Sequence, residues 1–250
     1  MAEPLLEVRS LRKRFGGLTA TDDVSLRLHE GELLAIIGPN GAGKTTLIAQ
    51  LQGELRPDSG AILLSGAEIT HLSPPERAHR GVARSFQITS IFPDFTALEN
   101  VAMAVQAHAG HSFRFFRPAA SEPELVEPAA AALARVGLAQ RAAVPAQALA
   151  HGEKRQLELA MALAAKPKVM LLDEPMAGMG RLESERMVAL LDSLKRDVSI
   201  LLIEHDMDAV FALADRIAVL VYGRIIATGS ADQIRRDPAV REAYLGEGHG

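Results

Sequence analysis

Short, wholly apolar runs punctuate the chain. The clearest are Leu33-Leu34-Ala35-Ile36-Ile37, Val169-Met170-Leu171-Leu172, Ile200–Ile203 and Ile217–Val221. Each is too short for a buried helix and is bounded by polar or turn-forming residues, so each reads as a strand covered on both faces. Between the later runs, Leu182–Leu194 and Met207–Ala214 repeat their apolar residues at helical spacing. Strand–helix alternation of this kind predicts a parallel sheet. Upstream, Leu5–Arg9, Val24–Leu28, Ala61–Leu64 and Val82–Phe86 read as further strands, with turns at Gly16-Gly17 and Glu30-Gly31. From about Thr96 to Ala165 the composition shifts to Ala, Leu and Glu, with helical spacing in Leu98, Val101, Met103 and Val105 and again from Leu125 to Val136. The predicted organisation is one α/β domain: residues 1–95 and 166–250 form the core, and 96–165 form an inserted helical subdomain.

Composition narrows the class. At 250 residues the chain can bury a substantial core. Its 48% hydrophobic and 23% charged content are those of an ordinary globular protein. A net charge of −4 argues against a nucleic-acid binder built on a basic face. The absence of cysteine excludes disulfides and thiolate metal sites and suits a reducing compartment. The start Met-Ala-Glu-Pro lacks the basic region and apolar core of a signal peptide, and no apolar run is long enough to span a bilayer. A membrane role is therefore expected to be peripheral. His29, His71, His79 and His249 lack metal-ligand spacing.

The chemistry is concentrated after the first apolar run. Gly38-Pro39-Asn40-Gly41-Ala42-Gly43-Lys44-Thr45-Thr46 fits G-x-x-x-x-G-K-[ST], with a strand before it and a helical Thr46–Leu51 after it. Glycines let the backbone curl so that its N–H groups converge on phosphate, and the helix N-terminus adds positive potential. Lys44 would reach the β- and γ-phosphates of ATP, and the Thr45 hydroxyl would ligate Mg²⁺. Far downstream, Val169–Leu172 runs into Asp173-Glu174-Pro175. A buried strand would deliver Asp173 to its tip to organise the Mg²⁺ shell, and Glu174 would polarise the attacking water. The long interval between Lys44 and Asp173 fits a large insertion between two adjacent strands.

With these motifs the chain resembles the ATP-binding subunits of ABC transporters over nearly its whole length. The resemblance implies a P-loop NTPase core with a mostly parallel sheet, an N-terminal antiparallel β subdomain and the inserted helical subdomain. Gln87, in Ser85-Phe86-Gln87, is similar to the Q-loop glutamine that touches Mg²⁺ and has a catalytic part beside Lys44, Glu174 and His205. Leu149-Ala150-His151-Gly152-Glu153 stands where the family has its signature L-S-G-G-Q, Ala177–Gly180 where it has the D-loop, and His205 where its switch histidine contacts the γ-phosphate. Phe15 is placed like the aromatic residue that stacks on adenine. The family pairs two ATPase subunits around two ATP molecules, one subunit's phosphate loop facing the other's signature. Implied partners are integral-membrane permeases, docking between core and helical subdomain near Gln87, a second ATPase that is a paralogue or a second copy, and, indirectly, an extracytoplasmic substrate-binding protein. The implied place is the cytoplasmic face of the inner membrane.

Two positions depart from the family pattern. Ala150 replaces the serine that would donate to γ-phosphate, a bond worth roughly 1.5–3 kcal/mol. The helix after it, with His151 as a further donor, would compensate in part. Either this substitution makes the two ATP sites turn over unequally or it is drift at a tolerant position. Gly180 stands where many relatives carry Asp. Within transporters, Phe15-Gly16-Gly17-Leu18, Leu98-Glu99-Asn100-Val101, Glu204-His205-Asp206-Met207 and the ending from Asp237 to Glu247 are most similar to branched-chain (hydrophobic) amino acid uptake ATPases. Lipopolysaccharide-export ATPases and urea or amide importers share much of this and stay open. The segment from His108 to Pro118 sets Phe113, Phe115 and Phe116 beside Arg114 and Arg117. It reads as a buried loop anchor, a subunit contact or a lipid-headgroup contact.

Overall fold

Leu33–Ile37, Val169–Asp173 and Ser199–Ile203 are buried at every position. Strands with no solvent face belong inside a parallel sheet whose two sides are both covered. A computed structural model describes residues 3–84, 91–109 and 123–245. The chain opens with strands β1 (Leu6–Phe15), β2 (Leu18–Leu28) and β3 (Leu33–Ile37), then helix α1 (Lys44–Gln52). There follow β4 (Ser59–Leu64), β5 (Ala67–Glu68), α2 (Pro74–Arg80) and β6 (Val82–Arg84). Three helices come next: α3 (Ala97–Ala109), α4 (Pro123–Arg135) and α5 (His151–Ala164). The remainder alternates as β7 (Val169–Asp173), α6 (Arg181–Leu194), β8 (Ser199–Ile203), α7 (Met207–Leu213), β9 (Arg216–Val221), β10 (Arg224–Gly229), α8 (Ala231–Arg236) and α9 (Pro238–Leu245). The chain divides into two compact units, residues 1–77 with 169–250, and residues 78–168.

The first unit holds an antiparallel sheet of order β2-β1-β4-β5 and a mostly parallel sheet. In the latter, β10, β9, β3, β8 and β7 follow one another, parallel except for β10, which is antiparallel to β9 at the edge. The two strands that carry the sequence motifs, β3 and β7, are therefore not adjacent as expected: β8 lies between them and pairs with both. The crossover through α6 returns the chain to that slot, and spacing along a sequence does not encode such an order. On one face Ala35, Ile37, Ile217 and Val219 pack with Val210, Ile234 and Val240 from α7, α8 and α9. At the far end of α1, the fully buried Arg77 donates to the Gln50, Leu51 and Thr70 carbonyls at 2.6–2.7 Å and to Leu72 O at 3.1 Å.

In the second unit α3, α4 and α5 pack together around Val101, Ala129, Leu133, Leu157 and Ala160. Asn100, fully buried, accepts from Phe92 N–H and donates to the carbonyls of Phe92, Phe95 and Thr96, which fixes the turn leading into α3. The aromatic–arginine cluster, Phe113 to Arg117, lies outside the described residues.

Candidate functional site

The phosphate loop starts where β3 ends. Two of its glycines are required by close approach: a Cβ on Gly38 would lie 2.0 Å from Leu220 O, and one on Gly43 would lie 2.2 Å from Ala20 O. Gly43 also has φ +104°, a region that side chains avoid. Gly223 N–H donates to Ala42 O at 2.9 Å, so the β9–β10 turn braces the loop from outside. Inside it, Lys44 Nζ folds back onto Gly38 O at 2.5 Å and Pro39 O at 2.9 Å. The helix starts at Lys44, two positions before the expected Thr46, and its N-cap Gly43 supplies no side-chain cap. No side chain at the N-cap therefore competes for the N–H groups of that first turn. A cavity of about 380 Å³ runs along the loop, lined by Phe15, Asn40, Gly41, Lys44, Thr45 and Glu174 among others. Phe15, 48% exposed, offers its ring at the rim, with Lys13 Nζ 5.6 Å from the ring centre. Ala42 and Thr46 line the same cavity.

Sheet register brings in the rest. Ile203 on β8 pairs with Ile36 on β3 and with Asp173 on β7, so three strands end level with one another. Parallel strands present their following loops on one side, and Gly38, Glu174 and His205 all emerge there. Asp173 is buried. Glu174 has φ +49°, uncommon for a residue with a long side chain, and its N–H donates to Ile203 O at 2.9 Å. His205 Nδ1 lies 3.8 Å from Glu174 Oε1 and 3.8 Å from Glu204 Oε2. Asp206 caps α7 by accepting from Asp208 N–H and Ala209 N–H.

Glu204 was given no role from sequence. It is 1% exposed; its Oε1 accepts Met176 N–H at 3.0 Å, and its Oε2 accepts His205 N–H at 3.0 Å and, at 3.5 Å, Asp206 N–H. The available signal was a carboxylate continuing an all-apolar strand directly before a histidine. The turn from Glu174 to Gly180 closes on itself, with Ala177 N–H on Glu174 O and Met179 N–H on Met176 O, both at 3.1 Å.

His151, Gly152 and Glu153 form the first turn of α5 and are carried by the second unit. Ala150, the N-cap, has no acceptor side chain, but Glu153 Oε2 accepts Ala150 N–H at 2.9 Å. Arg141 grips Glu153 with Nε to Oε1 at 2.7 Å and Nη2 to Oε2 at 3.2 Å. That guanidinium, with help from the Ala150 N–H, holds the Glu153 carboxyl below its usual range. One turn on, burial pushes the Glu158 carboxyl up, opposed by Arg155 at 2.9 Å. Gln87 lies outside the described residues.

The chain as a whole has recognisable relatives. The ABC transporter family model matches residues 21–177, and a branched-chain amino acid ATP-binding cassette transporter model matches 224–250. The chain is 42% identical, over 99% of its length and all of the relative's, to the high-affinity branched-chain amino acid transport ATP-binding protein BraF of Pseudomonas aeruginosa. It is 39% identical over the same share to the Escherichia coli LivG protein of the same description. Among solved structures it is similar to an ATP-binding cassette of an ABC transporter in its ADP conformation, with a TM-score of 0.87 at 30% identity, covering 98% of this chain and 100% of that one. A loop built for phosphates, acidic and imidazole groups beside it, and this likeness over the full length lead to one conclusion: the chain belongs to the ATP-binding subunits of ABC transporters, ATPases that couple hydrolysis to transport.

Proposed function

We propose that this chain is the ATP-hydrolysing subunit of an importer for branched-chain amino acids. The observation that carries the cargo is the similarity across the whole chain to proteins of that description, joined to the separate C-terminal match at 224–250. In the proposed mechanism the adenine stacks on Phe15, and the phosphates lie along the backbone of Gly38, Pro39, Asn40, Gly41, Ala42 and Gly43. Lys44 leaves its two carbonyl partners for the β- and γ-oxygens, and Thr46 N–H adds a donor at the helix start. Glu174 takes the proton of the attacking water as the water oxygen bonds to the γ-phosphorus, the bond from that phosphorus to the β–γ bridging oxygen breaks and ADP leaves, while His205 donates to the γ-phosphate oxygens.

Thr45 and Asp173 offer hydroxyl and carboxylate oxygens, a hard donor set that suits Mg²⁺, with Gln87 as a third ligand. When bound, that ion would neutralise phosphate charge. His151, Gly152 and Glu153 complete the nucleotide site of a second ATPase subunit, a paralogue or a second copy. Permease subunits in the inner membrane receive the stroke at its cytoplasmic face.

Affinity purification of the tagged chain from native membranes, followed by mass spectrometry, tests the assembly. Two importer-type permeases and a second ATPase are expected; export-type permeases with no second ATPase would overturn the import reading. A strain carrying Lys44→Ala should lose uptake of labelled leucine, isoleucine and valine, and undiminished uptake would remove the cargo assignment.

A further inference from the structure

Glu204 is a carboxylate carried into the end of an otherwise apolar sheet, where it has no solvent to satisfy it. Such a group persists only if its lone pairs are used. Both oxygens are engaged, and by different loops: Oε1 by Met176 N–H in the turn after β7, Oε2 by His205 N–H in the turn after β8. The first turn carries Glu174 at φ +49°, a conformation that needs outside support. The second carries the imidazole that lies 3.8 Å from Glu174. A single side chain therefore ties together the backbones that aim both groups.

We infer that Glu204 is a positioning residue for hydrolysis, using its two oxygens to hold the Glu174 turn and the His205 turn in one fixed relation. The inference rests on the roles proposed for Glu174 and His205. Glu204 itself faces backbone N–H groups on both oxygens and does not reach the nucleotide cavity lining. Its contribution should thus appear in the chemical step and not in ATP binding.

Glutamine is the discriminating replacement. It is nearly isosteric, but it has one acceptor oxygen, so its NH₂ must oppose an N–H of one loop or the other. In the assembled transporter, Glu204→Gln should lower kcat roughly 10- to 100-fold, the equivalent of one lost hydrogen bond to a charged group, with KM for ATP within about twofold. On a His205→Ala background the same change should cost less than it does alone, because one of the two groups being positioned is gone. Glu204→Asp keeps both acceptors on a shorter stem and carries the test if the glutamine variant does not fold; it too should lose kcat at constant KM. A kcat within twofold of wild type in whichever variant folds, or a parallel rise in KM, overturns the inference. Glu174→Gln and His205→Ala are run alongside: if these leave kcat unchanged, the reading of the site fails and the positioning role falls with it. If they abolish turnover while Glu204→Gln does not, the positioning role alone is wrong.

Discussion

Arg77 presents an unusual demand on stability. Its guanidinium is 1% exposed and donates to four backbone carbonyls, two of them at the C-terminal end of the phosphate-loop helix. Burial pushes its pKa well below the usual guanidinium range, to about 10. That drop corresponds to ~3 kcal/mol of desolvation charged against the cation. Against it stand four charge-assisted hydrogen bonds, each contributing ~1.5–3 kcal/mol, or ~6–12 kcal/mol in all. The bonds win. Part of the gain survives Arg77's removal, since Gln50 O also accepts Gly53 N–H at 3.2 Å. Arg77→Ala should therefore destabilise the protein by about 3–5 kcal/mol, lowering the melting temperature by roughly 10 °C.

Arg77→Met separates the causes, because it refills the space without supplying donors. It should recover only the packing share and stay at least ~2 kcal/mol below wild type. The folded arginine holds its proton until pH nears 10, so the deficit should be flat between about pH 6 and 9. Urea unfolding followed by circular dichroism reads both variants. A methionine variant within about 1 kcal/mol of wild type would refute the reasoning, showing the four carbonyls to be satisfied without a cation.

Four further outcomes are expected. Gly43→Ala should abolish ATP binding in a fluorescent-nucleotide titration, because its Cβ would meet Ala20 O at 2.2 Å; wild-type affinity would mean the loop relaxes freely. In the assembled transporter, Arg141→Ala should raise the half-saturating ATP concentration about tenfold by unmasking the Glu153 charge, while Glu153→Gln should lower it; two losses of equal size would make the pair a plain structural clamp. Thr96 N–H and its hydroxyl hold the Glu99 carboxyl below 4.5, so the stability this contributes is complete above pH 4.5 and is lost as pH falls through the folded value. Glu99→Gln should make the acid limb of the unfolding profile shallower, and an unchanged limb would count against it. With His205 65% and Glu174 41% exposed at their side chains, the purified chain alone should turn over ATP more slowly than the assembled transporter; equal turnover per subunit would contradict this.

The strands were the most legible part of the fold, because burial on both faces leaves an apolar run that polar loops cannot imitate. β3, β7, β8 and β9 each fall within one residue of the expected runs at either end. Less visible was β10, where Arg224–Thr228 alternate exposed and half-buried positions at a sheet edge and lack that contrast. Helix α2 was missed for a different reason: Pro74-Pro75 reads as a breaker, yet proline suits a helix's first turn, and the one residue α2 buries is an arginine. Of the site, the loop from Gly38 to Thr46 was readable as a motif from its spacing, although the carbonyls that Gly38 and Gly43 approach, Leu220 O and Ala20 O, lie elsewhere in the chain. Glu204 was not, because its meaning lies in two N–H groups, one of them from a loop 28 positions away. The order of strands was equally hidden, and with it the fact that Ile203 pairs across to both motif-bearing strands.

That hidden order has a mechanical consequence. Because β8 sits between β3 and β7, the turn carrying His205 emerges between the phosphate loop and the turn carrying Glu174, and each neighbour is tied to something fixed. Glu174 N–H is bonded to Ile203 O, Met176 N–H to Glu204, and Ala42 O to Gly223 N–H. The backbones are held while the side chains of Glu174 and His205 stay open to solvent. A site built this way pre-orients its donors and acceptors but does not exclude water, and electrostatic stabilisation of a developing charge is weak until water is displaced. On the roles proposed for Glu174 and His205, a second surface that covers those two side chains is expected to speed hydrolysis.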